Sequence, residues 1–85
     1  MLAIQALAFI AEEPERLSAF LAVTGLAPER IRAAAREPSF LVGVLEHMLG
    51  DENLLIAFSL SAGIDPADIA RASNALGRRR ERDLP

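Results

Sequence analysis

The pattern that most constrains this chain is its punctuation by glycine and proline. Gly25, Gly50, Gly63 and Gly77 each follow a run of helix-forming residues, and Pro14, Pro28, Pro38 and Pro66 each stand at the start of one. A glycine just past a helix accepts the left-handed backbone of a C-terminal cap at little cost, because it has no Cβ to clash. A proline suits the first helical turn, where the N–H that it lacks would have no partner anyway. Signals for β structure are missing: there is no sustained apolar–polar alternation and no Asn-Gly or Asp-Gly hairpin turn. The chain therefore reads as all-α. A compact bundle of about six short helices is expected over 2–12, 14–24, 28–36, 38–49, 52–62 and 66–76, all within a single domain spanning 1–77. Residues 78–85 read as a basic, flexible tail beyond Gly77.

Helical wheels assign faces to these segments. The first has Ile4, Leu7, Ala8 and Ala11 on one side and Leu2, Ala6, Phe9 and Ile10 on the other, with Gln5 its one polar residue before Glu12. A helix that is apolar all round is either central or covered by another subunit. The second turns Leu17, Phe20, Leu21 and Thr24 inward, and the third Ile31, Ala34 and Ala35. The fourth has the cleanest division, with Phe40, Leu41, Val44, Leu45, Met48 and Leu49 on one face and Gly43, Glu46 and His47 on the other. In the fifth, Leu54, Leu55, Phe58 and Ala62 oppose Ile56 and Leu60, so that helix too reads as covered on two sides.

Composition sharpens the point. A domain of 85 residues has room for one core. Apolar residues make up 52% of it, and with the five glycines the share reaches about 58%, against roughly 45–50% in ordinary soluble domains. More apolar surface is present than a small domain easily hides, and association with a second surface is the expected remedy. The N-terminal run MLAIQALAFIAEE lacks a basic leader and is too short to span a bilayer, which takes about 20 residues. The longer run from Phe40 to Ala62 is interrupted by Glu46, His47, Asp51 and Glu52. No membrane role and a cytoplasmic location are expected; the lack of cysteine agrees and removes disulfides and thiolate metal sites.

Charge is placed unevenly. Residues 1–77 hold five arginines against ten acids, and residues 78–85 hold four arginines against two. An acidic body argues against a phosphate backbone as its main partner. The sharpest contrary feature is the corner from Leu21 to Ile31, which imitates a helix-turn-helix; its second helix would offer Arg30, Arg32 and Arg36 to a DNA groove. Leu21 stands where such motifs usually have alanine, and acids flank the arginines. The aromatic residues are four phenylalanines, all at apolar helix positions, so stacking on single-stranded bases is unsupported.

No catalytic, cofactor-binding or metal-binding residues emerge. His47 is the single histidine, beside Glu46 and one turn before Asp51, and on the polar face of its helix it reads as solvated. One histidine with surface acids makes no closed ligand set. The acids at Glu12-Glu13-Glu15 and Asp51-Glu52 lie near helix starts, where the dipole accounts for them. Ser39, Ser59, Ser61 and Ser73 have no base to activate them other than that histidine, and neither GxGxxG nor GxSxG occurs. No enzyme, no cofactor and no small-molecule ligand is expected.

The stop–start junction recurs. Gly25-Leu26-Ala27-Pro28-Glu29-Arg30-Ile31 is matched 38 residues later by Gly63-Ile64-Asp65-Pro66-Ala67-Asp68-Ile69, with Leu17, Phe20 and Ala34 matching Leu55, Phe58 and Ala72. Two related helix-turn-helix units would produce this. So would convergence, since any such corner needs a capping glycine, an apolar closure, a proline and a staple residue.

The segments ALAFIAEEPERL, TGLAPERIR and LGDENLL, within residues 2 to about 76, resemble a family of short bacterial proteins, mainly alphaproteobacterial, that is known as a domain of unknown function. The resemblance implies a compact helical fold and a bacterial cytoplasmic setting, and it brings no site residues with it. The functional expectation is a non-catalytic module that binds a protein partner or itself, plausibly as a homodimer, through Leu2, Phe9, Ile10, Ile56 and Leu60.

Overall fold

A computed structural model describes the backbone of residues 1–82 and the side chains of residues 1–78. Among the described residues the chain is all-α: α1 (Leu2–Ala11), α2 (Pro14–Thr24), α3 (Ile31–Ala34, entered through a 3-10 turn at Pro28–Arg30), α4 (Pro38–Leu49), α5 (Glu52–Ala62) and α6 (Pro66–Arg82). The boundaries follow the punctuation closely. Proline occupies the first turn of α2, α4 and α6, and Gly25 and Gly63 adopt φ +71° and +67°.

The two matching corners close differently. After α5, Ile64 N–H reaches back to Ser59 C=O at 3.0 Å, the longer-range bond of a Schellman cap. After α2, Gly25 N–H bonds Leu21 C=O at 2.8 Å, and Leu26 N–H turns to the Thr24 hydroxyl oxygen at 3.2 Å. The corners also lead into unequal helices. α3 has four residues and α6 has seventeen. Pro38 accounts for the short one: a proline pushes the preceding residue out of the helical region, and Glu37 is extended at φ −94°, ψ 123°.

Gly77 departs from expectation in the opposite sense, because α6 runs through it to Arg82. Gly25 and Gly63 are each followed by an apolar residue that closes the cap and, two residues further on, by proline. Gly77 is followed by Arg78-Arg79-Arg80, which offers no apolar closure and consists of good helix formers. The expected tail 78–85 is thus helical through Arg82, and Asp83, Leu84 and Pro85 lie outside the described residues.

The centre of the fold is α4. It packs most extensively on α6, then on α1 and α5. It buries Leu41, Val42, Val44, Leu45 and Met48, so Val42 joins the apolar face predicted from the wheel. α1 buries Ala3, Ala6, Leu7, Phe9 and Ile10, and its open side carries Ile4, Gln5, Ala8 and Ala11. Of the two apolar sides the wheel shows, the one with Ala6, Phe9 and Ile10 is buried, and of the other only Leu7 is. Phe20, Ile69 and Leu76 complete the core from α2 and α6, with Leu54 and Phe58 from α5. The four phenylalanines pair within it: Phe9 lies 5.3 Å from Phe58, and Phe20 meets Phe40 edge-on at 5.9 Å.

Candidate functional site

Among the described residues the surface carries a polar cleft, an apolar groove and an apolar ridge. Each is set in place by the core just described.

The cleft, of about 320 Å³, is lined by Arg16, Ala19, His47, Asp51, Asn53, Leu54 and Ala57. Arg16 sits two residues after Pro14, on the first turns of α2, and this folds its side chain back over α1. Its guanidinium lies 4.1 Å from the Phe9 ring centroid, Nη1 donates to Phe9 C=O at 3.3 Å, and Nη2 is 3.6 Å from a Glu13 carboxylate oxygen. His47, expected on a solvated face, is half-buried with its ring edge-on to Phe20 at 5.1 Å. The reason is α2, whose Phe20 reaches the side of α4 that the isolated wheel leaves to water. Asp51 caps α5, its Oδ1 accepting from Leu54 N–H at 3.1 Å; a cap of this kind contributes about 0.5–2 kcal/mol. The charged and aromatic groups around this cleft therefore each have a structural partner. Glu46, exposed on α4, does not line it. Among the described residues no group of three or more His, Cys, Asp or Glu side chains could hold a metal ion.

The groove lies between α1 and the corner that follows α2. It encloses about 600 Å³ and is lined by Ile4, Leu7, Pro28, Ile31 and Ala35, with Glu29 and Arg32 among its walls. α1 crosses the bundle so that Ile4 is 40% exposed while Leu7, one turn on, is buried. The ridge is the outer side of α5. Leu54 and Phe58 hold the inner side in the core, and Ile56 and Leu60, one turn apart, stand 46% and 80% exposed.

The structure divides the residues singled out for an interface. Phe9 and Ile10 belong to the core, 8% and 0% exposed, and Leu2 is half-buried against it. They cannot present a free face, because α1 is packed against α4, α2 and α6 and Phe9 also meets Phe58 of α5. Ile56 and Leu60 are brought together on the open ridge. Arg30, Arg32 and Arg36 are all exposed. Sequence reasoning missed Ile4 and Arg16. The wheel places Ile4 with Leu7 and cannot see where the neighbouring corner stops. Nothing in the spacing of Phe9 and Arg16 signals their contact, which depends on the turn between α1 and α2.

No described helix is long and apolar enough to cross a membrane. The fold and surface define a small all-α bundle with exposed apolar side chains. More particularly, residues 1–79 match the family model described as a protein of unknown function (DUF3572), and the chain belongs to that family. Neither a curated protein nor a solved structure matches it.

Proposed function

We propose that this chain is a non-catalytic protein-interaction module of the bacterial cytoplasm, which associates with itself or with a protein partner through apolar helix faces. The observation that carries the reading is the ridge on α5. Leu60 at 80% exposure and Ile56 at 46% are large aliphatic side chains on one helix face, left open to solvent by the described residues. Burying a leucine- or isoleucine-sized side chain contributes roughly 1.5–3 kcal/mol, so a contact seating both can offset a fair part of the cost of association. The non-catalytic part of the reading is supported by the polar cleft, where Arg16, His47 and Asp51 are engaged with Phe9, Phe20 and Leu54.

A DNA-binding reading has no comparable support. The segment that would enter a groove is a 3-10 turn followed by a helix of four residues, and a recognition helix must project its first turns into the major groove from a rigid support. Sedimentation equilibrium over a wide concentration range tests the proposal. Concentration-dependent mass that Leu60→Glu abolishes is the expected result. A strict monomer at high concentration would remove self-association from the proposal.

A further inference from the structure

We infer that the ridge of one copy docks into the groove of a second copy, so that self-association is head-to-tail, joining α5 of one chain to the α1–α3 groove of the next. The inference rests on the interaction reading above and adds to it which two surfaces meet.

Shape is the first argument. The groove is an open depression of about 600 Å³ lined by Ile4, Leu7, Pro28, Ile31 and Ala35, with Glu29 and Arg32 at its walls, a shape that suits a protruding helix face rather than an enclosed small molecule. Ile56 and Leu60 project from a single helix face at the spacing by which helical peptides anchor in apolar grooves. The two surfaces share no residue, so one copy can use both at once.

Charge is the second argument and decides the occupant. α5 carries Glu52 in its first turn and Asp51 at its cap, and no basic residue. The corner that walls the groove carries Arg30, Arg32 and Arg36 against Glu29 and Glu37, and these arginines are exposed. A two-fold α5–α5 contact brings together two helices that carry no basic residue, so Asp51 and Glu52 of one copy find no opposite charge on the other helix. The same ridge facing the arginine-bearing corner places opposite charges together, which steers encounter and sets register. A contact between two different patches is heterologous, and it closes into a ring or extends as a chain.

Four proteins compared by sedimentation velocity test this: the wild type, Leu60→Glu, Ile4→Glu and Arg32→Glu, each first shown to be folded by circular dichroism. Arg32 is exposed, so its variant keeps the groove arm informative if Ile4→Glu disturbs α1. Leu60→Glu and each groove variant are expected to weaken self-association by about tenfold or more. An equimolar mixture of Leu60→Glu with Ile4→Glu, or with Arg32→Glu, retains one intact ridge and one intact groove. It is expected to recover association and to stop at the heterodimer. If Leu60→Glu dissociates the assembly while both groove variants associate as the wild type does, the ridge pairs with another surface. The head-to-tail inference then fails and the interaction reading stands. A wild type that stays monomeric at high concentration overturns the head-to-tail inference and removes self-association from the interaction reading, leaving only a different protein as partner.

Discussion

Ile10 and Ile56 are chemically identical side chains on helices that the sequence makes apolar on two sides, and their truncation to alanine separates core from open surface. Ile10 is fully buried and Ile56 is 46% exposed. Each change removes three carbon atoms, and at about 0.8 kcal/mol per buried methylene the transfer loss at Ile10 alone is about 2.4 kcal/mol. The cavity left between α1 and its neighbours adds to that, which places Ile10→Ala near 3 kcal/mol, within the roughly 2–5 kcal/mol found for such truncations. For a domain of this length, 85 residues, total stability is expected at about 4–13 kcal/mol, so the loss is a large share of it. At roughly 4–8 °C per kcal/mol the melting temperature should fall by about 12–24 °C. Ile56→Ala removes atoms already half in water and should cost less than about 1 kcal/mol. Urea and thermal unfolding, followed by circular dichroism at low micromolar protein, measure both. Equal losses for the two variants would refute the open ridge, and a loss below about 1 kcal/mol at Ile10 would refute the placement of α1.

The other predictions concern the backbone and one ion pair. Gly77 lies inside α6 and a Cβ there would meet nothing within 4 Å, so Gly77→Ala should stabilise the chain by about 0.5–1 kcal/mol; Gly25→Ala, at φ +71°, should destabilise it, and urea midpoints of opposite sign check the pair. The Arg71 guanidinium hydrogen-bonds the Asp68 carboxylate and holds it below its usual pKa. A group depressed in this way stabilises the fold above its unfolded-state value, near about pH 4, and that contribution is lost as pH falls through the folded-state value. Both side chains are open to solvent, Arg71 at 71% and Asp68 at 43%, so the effect is small and salt-sensitive; comparing the acid limb of the stability curve for wild type and Asp68→Asn checks it, and a wild-type advantage that grew on acidification would contradict the sign.

Much of the fold is legible without coordinates, because helix boundaries are local matters. Pro14, Pro38 and Pro66 lack an N–H, and Gly25 and Gly63 lack a Cβ. These are properties of single residues, and they act wherever the chain happens to pack. The same logic explains why α6 runs through Gly77: a cap also needs an apolar closing residue and a proline beyond it, and Arg78-Arg79-Arg80 supplies neither. Tertiary structure decided which apolar faces are covered, since that depends on distant elements. A wheel shows α1 and α5 as apolar on two sides alike. Only the packing of α1 on α4, α2 and α6, with Phe9 against Phe58, buries Phe9 and Ile10, while Ile56 and Leu60 of α5 stay 46% and 80% exposed. His47 changed in the same way, from a solvated position to a ring held against Phe20. By itself, then, the sequence determined an all-α chain, its helix starts and most of its helix ends, through steric and hydrogen-bonding constraints that operate over a few residues. The surface left open for a partner was decided by the tertiary arrangement, because burial depends on what lies across the bundle.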